Sequence, residues 1–278
     1  MRASKFTALL AAALLLAGCG EPLEKKPHLA RYGLRIVSMA PNTTEILYAL
    51  GLSNQVVGVS RFCSYPPEAT LKPAVGGTYD PNFEMIVALQ PDLVIGLDSQ
   101  KEIESQLKQL GIPFLGVAHE HISEVLQSIL TIGKACGAET KAQQLFQTLE
   151  RTASGLAISS KDWKPRVLVC VGHDESLSRM YVAAKNTFYD ELIERAGGIN
   201  ACTETSQKYP EISPEGLAVM NPDVVIDISP NLSNNVSNDW TPYRAVAMTN
   251  SYAFIPGPRF VLLLKDFTTA IQESRQNN

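Results

Sequence analysis

The chain has 278 residues, of which 24 are Lys or Arg and 28 are Asp or Glu, giving a net charge of −4. This acidic balance argues against a general nucleic-acid-binding protein, which needs a basic surface. With 45% hydrophobic residues, the chain is long enough to form two lobes with a core each.

The first residues have the layout of a secretory signal. Two basic residues precede the apolar run Phe6–Ala17, which is shorter than the roughly 20 residues needed to span a bilayer. The run ends in Leu-Ala-Gly-Cys, which resembles the lipobox of bacterial lipoproteins. That resemblance implies a signal peptide at 1–18, acylation of Cys19 and a lipidated tether at 19–32. We therefore expect an extracytoplasmic protein anchored to a bacterial membrane, on its periplasmic side or at the outer cell surface.

Further along the chain, one sequence pattern occurs twice. Residues 82–97 and 213–228 contain Glu84 and Glu215, and each Glu is followed seven residues later by a Pro-Asp pair. A β-branched apolar run follows each pair. The Pro predicts the end of a helix and the apolar run predicts a buried strand. Equal spacing in both copies indicates an internal duplication.

Each copy also has a strand-like opening upstream, at Arg35–Met39 and Arg166–Val171. Alternating strands and helices predict an α/β fold of two βα-sandwich lobes with mainly parallel sheets. Between the lobes, apolar residues at helical spacing predict a long helical backbone, with Ser123 as an N-cap and an interruption at Gly137. We place the N-terminal lobe at 33–118, the connecting helices at 119–164 and the C-terminal lobe at 165–278.

Several stretches, taken in order, resemble one known family. They are Arg35–Asn42 with Thr44-Glu45, Val57–Ser60, Tyr65–Pro67, Asn82–Glu84, Ile86–Ile95 and Pro256–Arg259. Together they are similar to the helical-backbone class of substrate-binding proteins of ABC importers, which carry cobalamin, haem, ferric siderophores or metal ions. The likeness is greatest to the cobalamin-binding branch. It implies a monomeric binding protein, not an enzyme, that delivers a small molecule to a permease dimer with its ATPase subunits.

The resemblance also assigns candidate functional residues. In this family one Glu on each lobe docks into Arg pockets of the two permease subunits, and Glu84 and Glu215 match those positions. The ligand is expected in the cleft between the lobes. The candidate ligand-binding residues are Phe62, Thr78, Tyr79, Leu97, Tyr181, Tyr209 and Arg259. No separate cofactor is predicted, because the bound ligand itself is expected to be cobalamin or another metal chelate.

Two departures from the cobalamin-binding branch bear on the ligand. Several of the matching positions in that branch are large aromatic residues stacked on the corrin, whereas two of them here are Thr78 and Leu97. In addition, Tyr252–Ile255 run directly into Pro256–Arg259, without the further residues that the family usually has there. Cobalamin or a related corrinoid is the leading ligand, and a ferric siderophore or haem is the alternative.

A few residues suggest other interpretations. His119-Glu120-His121 could form a metal site, but a solvated loop is the preferred interpretation and no metal site is predicted. His173 and Asp174 suggest a lipid-anchored enzyme with an interlobe active site, although the chain has no GxSxG nucleophile motif. The cysteines after Cys19 lack CxxC spacing, and spacing leaves their pairing open. They are Cys63, Cys136, Cys170 and Cys202.

Overall fold

The structure is a computed structural model that describes residues 33–158, 164–229 and 240–276. The predicted signal peptide, Cys19 and the tether up to residue 32 lie outside the described residues. From Leu34 onward the chain forms one compact unit. Every helix in the described ranges is too short or too polar to cross a bilayer.

The described residues form eight α-helices. They are α1 (Pro41–Ala49), α2 (Phe83–Ala88), α3 (Lys101–Gln109), α4 (Ile122–Ala135), α5 (Glu139–Leu156), α6 (Phe188–Arg195), α7 (Pro214–Met220) and α8 (Phe260–Gln276).

Ten strands form two sheets. They are β1 (Ile36–Ser38), β2 (Val56–Val59), β3 (Leu93–Leu97), β4 (Phe114–Val117), β5 (Arg166–His173), β6 (Met180–Val182), β7 (Ile199–Asn200), β8 (Glu211–Ile212), β9 (Val224–Asp227) and β10 (Ala245–Ala247). The first sheet has the order β2-β1-β3-β4 and all of its pairings are parallel. The second has the order β10-β9-β5-β6-β8, with β7 also pairing with β5. Its β5–β6 and β6–β8 pairings are antiparallel and the others are parallel. The predicted α/β fold of two lobes with mainly parallel sheets is confirmed.

The helical connection between the sheets consists of α4 and α5, which pack against each other. A Cβ atom added at Gly133 would lie 2.3 Å from the Cβ of Ala142, so this close approach requires glycine. With 18 residues, α5 is about 27 Å long. The predicted Ser123 N-cap is wrong, because α4 begins at Ile122 with His121 as its N-cap residue. Glu124 provides the cap by accepting the His121 backbone N–H at 3.2 Å.

The duplicated pattern has the same geometry in both sheets. Asp92 accepts the backbone N–H of Arg35 at 2.8 Å, and Asp223 accepts that of Arg166 at 2.6 Å. In each copy the guanidinium Nη2 also donates, at 2.7 Å, to the carbonyl three residues before the Asp. We call this arrangement the Arg–Asp clasp. It ties the opening of β1 or β5 to the helix end that precedes β3 or β9.

Candidate functional site

Phe62 lies at the carboxyl edge of the first sheet, three residues after β2. The guanidinium of Arg61 lies over its ring, 4.9 Å from the ring centroid. That guanidinium also donates to Asp80 at 2.7 Å. Phe62 is therefore held beside the loop that carries Thr78 and Tyr79.

A buried amide ties that loop to the end of β3. Gln100 accepts the backbone N–H of Leu97 at 2.7 Å and donates to the carbonyl oxygen of Thr78. The Tyr79 hydroxyl lies 3.3 Å from the hydroxyl of Ser99. The structure thus brings Thr78, Tyr79 and Leu97 together, although the Leu97 side chain is itself buried. Sequence analysis missed Gln100, since its role depends on backbone groups in two separate loops.

On the second sheet, Tyr181 and Tyr209 lie on or beside neighbouring strands. Tyr181 in β6 donates its hydroxyl proton to Glu211 in β8 at 2.7 Å, and this hydrogen bond raises the pKa of Tyr181. Lys208, next to Tyr209, forms an ion pair with Glu120, which follows β4 of the first sheet. Burial and the Glu120 charge raise the pKa of Tyr209. Tyr209 therefore lies where the second lobe meets the carboxyl edge of the first.

The aromatic side chains of this group are exposed. Phe62, Tyr79, Tyr181 and Tyr209 are between 42% and 66% exposed, and so is Tyr65, three residues after Phe62. Aromatic rings usually lose most of their surface to the core, so several exposed rings indicate a binding surface. Tyr65 was absent from the predicted site, although it stands in one of the family-like stretches.

Arg259 joins the two lobes. Its guanidinium donates to Glu45 of α1 at 2.6 and 3.0 Å, and to the Ser251 hydroxyl at 3.0 Å. It also lies 3.8 Å from the centroid of the Tyr65 ring. Burial raises the pKa of Glu45, and the adjacent Arg259 opposes that rise. The sequence predicted a ligand contact for Arg259, which stays a prediction; in the structure its Nε and Nη2 atoms donate to Glu45, 214 residues away.

The His119–His121 segment is less solvated than expected. The Nδ1 atom of His119 is buried without a hydrogen-bond partner, and burial lowers the pKa of this imidazole. The Nδ1 atom of His121 lies 2.7 Å from Glu191 of α6, in the second lobe. Within the described ranges, no group of three His, Cys, Asp or Glu side chains is arranged to hold a metal ion.

His173 and Asp174 are used in local structure. The Nε2 atom of His173 lies 3.0 Å from Asp227, and its Nδ1 atom lies 2.7 Å from the carbonyl oxygen of Asp174. Asp174 accepts hydrogen bonds from Ser178 and Ser176, which lower its pKa to about 2. With both ring nitrogens of His173 engaged, these residues stabilise the end of β5.

Glu84 and Glu215 occupy equivalent, exposed positions. Glu84 lies in the first turn of α2 and Glu215 in the first turn of α7. The helices are capped by Asn82 and Ser213, whose side chains accept backbone N–H groups at 2.9 and 3.3 Å. Ser213 also holds the pKa of Glu215 below its usual range. Each lobe thus presents one carboxylate at the same position of a short, N-capped helix.

The four cysteines after Cys19 are buried and free. Burial raises the pKa of Cys136 to about 11 and that of Cys170 to about 12. Thiols with such pKa values are poor nucleophiles at neutral pH.

Two α/β lobes joined by helices, with aromatic residues at the sheet edges of both lobes, define a solute-binding protein. A family model described as periplasmic binding protein matches residues 36–239. The chain belongs to this family, whose members are the extracytoplasmic substrate-binding proteins of ABC transporters rather than enzymes.

Three known proteins illustrate the likeness. The chain is 30% identical to the uncharacterized ABC transporter substrate-binding lipoprotein YvrC of Bacillus subtilis, over 97% of each chain. It is 27% identical to the vitamin B12-binding protein of Pectobacterium carotovorum, over 84% of this chain and 87% of that one. Among solved structures, the periplasmic heme-binding protein RhuT from Roseiflexus sp. RS-1 is 28% identical. It superposes with a TM-score of 0.76 over 87% of this chain and 99% of RhuT.

Proposed function

We propose that this protein captures cobalamin or a related corrinoid between its lobes and delivers it to the permease dimer and ATPase subunits of an ABC importer. The observation that carries the ligand proposal is the set of exposed aromatic side chains on both lobes. A corrin ring offers a broad, flat surface, which aromatic rings bind by stacking and by hydrophobic contact. The likeness to a vitamin B12-binding protein supports the same class of ligand.

The charges beside these aromatic residues favour a ligand without carboxylates. The cations are paired with acids: Arg61 with Asp80, Lys208 with Glu120, and Arg259 with Glu45. These acids offset the positive charge that would attract a ligand with carboxylates, such as haem. The periphery of a corrinoid is mainly amides, which hydrogen-bond without needing a free cation.

A haem or ferric-siderophore carrier is the second candidate. The likeness to RhuT favours it, and so do Thr78 and Leu97, which stand where the cobalamin-binding branch has aromatic residues. The enzyme alternative has less support, because both nitrogens of His173 are engaged inside the protein.

Two further proposals complete the function. We propose that Cys19 is acylated and holds the protein to the membrane through the tether. We also propose that Glu84 and Glu215 dock into basic pockets on the two permease subunits. Their equivalent positions in the two lobes support this, since a two-fold partner offers two equivalent sites.

The ligand proposal is tested by absorbance. The purified protein is incubated separately with cyanocobalamin, haemin and a ferric siderophore, and is then desalted. We expect the corrinoid spectrum to elute with the protein and the other two not to. Retention of haemin or the siderophore with loss of cyanocobalamin would favour the second candidate.

A further inference from the structure

The two helices that carry the docking acids have an unusual composition for surface helices. Glu84 is the only polar residue among the six of α2, and Glu215 is the only polar side chain among the seven residues of α7. A surface helix normally buries an apolar stripe and exposes a polar face. Here each helix buries only one side chain, Ile86 in α2 and Leu217 in α7. Several apolar residues are instead exposed: Met85, Val87 and Ala88 in α2, and Pro214, Ala218 and Val219 in α7.

Exposed apolar residues stand at the third and fourth positions after each acid, with Val87 third after Glu84 and Val219 fourth after Glu215. One helical turn after Glu84 come Val87 and Ala88, and one turn after Glu215 come Ala218 and Val219. All four are exposed, with Val87 at 46% and Val219 at 85%. Each lobe thus presents an exposed carboxylate with exposed apolar side chains one helical turn away.

The fold attaches both helices to their sheets in the same way. A residue with positive φ follows each helix and leads into the Pro-Asp pair: Gln90 two residues after the end of α2, and Asn221 directly after α7. The Arg–Asp clasp then fixes each helix end to the first strand of its sheet. Two rigid, equivalent surfaces suit a partner that has two equivalent sites.

Resting on the proposed docking of Glu84 and Glu215, we propose that Val87 and Val219 are part of the permease interface. Each Val packs against an apolar rim beside the basic pocket that receives the Glu. Buried apolar contacts supply affinity, while the charge pair supplies orientation and specificity. Neither helix carries Lys or Arg, so an anionic membrane surface is a poorer partner. A second copy of this chain would bring like charges together.

The test compares Val variants with matched controls. V87N, V219N and the double variant are assayed for binding to the cognate permease–ATPase complex in nanodiscs, beside E84A/E215A. L110N and L71N are the controls. Leu110 is 48% exposed and Leu71 is 83% exposed, so their exposed fractions match those of Val87 and Val219. We expect each Val variant to weaken binding about 10-fold and the pair about 100-fold, as for burial of a Val side chain. The controls should bind like the wild type, and cyanocobalamin affinity should be unchanged in every variant.

Salt separates the two contributions. Raising the ionic strength should weaken the part of the binding that depends on the carboxylates and leave the part that depends on the valines. If E84A/E215A loses binding and V87N/V219N does not, the apolar inference is wrong while the docking proposal stands. If neither variant loses binding, both are wrong. Loss of self-association or of vesicle binding by V87N/V219N, with permease binding intact, would assign the surface to another partner and overturn the inference.

Discussion

Among single residues, Tyr209 bears most directly on the ligand. It lies where the second lobe meets the first, beside the Lys208–Glu120 pair. Stacking on one aromatic ring contributes about 1–3 kcal/mol in other systems, so Tyr209→Ala should weaken cyanocobalamin binding roughly 5- to 150-fold. Tyr209→Phe keeps the ring and should bind nearly as well as the wild type. Isothermal titration calorimetry measures both, and equal affinity of Y209A and wild type would remove Tyr209 from the site.

Arg259 and Glu45 should matter for stability as well as for the site. Both side chains are nearly buried, and they form two hydrogen bonds between the lobes. Arg259→Ala would leave the Glu45 carboxylate buried without its partner, at a cost of about 3–5 kcal/mol. The double variant E45L/R259L should be less destabilised than R259A, because it leaves no buried charge. Urea unfolding tests this, and an unchanged midpoint for R259A would show that the pair contributes little.

Sequence analysis could assign residues that match a family position, but it missed residues whose roles depend on distant partners. Phe62 and Tyr209 were assigned by resemblance, because each stands at a position that matches the family, and their ligand contacts stay predictions. The roles of Gln100, Tyr65 and Glu45 depend on partners far away in sequence, so no local pattern marks them. The ion pair of Arg259 with Glu45 was likewise not visible in the sequence, and its predicted ligand contact stays a prediction.

At the scale of elements, the helix–Pro-Asp–strand unit was predictable because its signals are local. The Pro, the αL residue before it and the apolar run each act on their own neighbourhood. The start of α4 was not predictable in this way. Ser is a common N-cap residue, which favoured Ser123, but His121 has the extended backbone of an N-cap and the Glu124 side chain accepts its backbone N–H. The Arg–Asp clasp was also out of reach, because it joins residues 57 positions apart.

The clasp itself should stabilise both lobes. Asp92→Ala and Asp223→Ala each leave a backbone N–H of the opening strand without its acceptor, which costs about 1–3 kcal/mol when that group is buried. The loss should be larger for D223A, because the Arg166–Asp223 bond is partly buried and the Arg35–Asp92 bond is exposed. Asp98→Ala, which changes an exposed Asp just after β3, is the control. Equal urea midpoints for D223A and wild type would contradict a structural role for the clasp.

For the whole molecule, the first question is where the protein is held. Cys19→Ser removes the proposed acylation site. The variant should then leave the membrane fraction or keep its signal peptide uncleaved, since it lacks the acyl chains that bind the bilayer. Fractionation with immunoblotting measures both outcomes. Normal membrane partitioning of a processed C19S protein would contradict lipid anchoring through Cys19.

The central claim is that two matched lobes capture a ligand and present it to a two-fold permease. It predicts that ligand binding and delivery can be separated, because Glu84 and Glu215 lie in exposed helix turns and not among the exposed aromatic residues proposed to bind the ligand. Either single Ala variant should impair delivery, and a reversal to Lys should impair it more, because repulsion is added to the lost attraction.

The most direct measurement is uptake of radiolabelled cobalamin by cells that carry the wild type or E84A/E215A, with calorimetry on the same purified proteins. We predict that the double variant binds cyanocobalamin like the wild type and fails to support uptake. Wild-type uptake by E84A/E215A would contradict the claim, and so would loss of its ligand binding in solution.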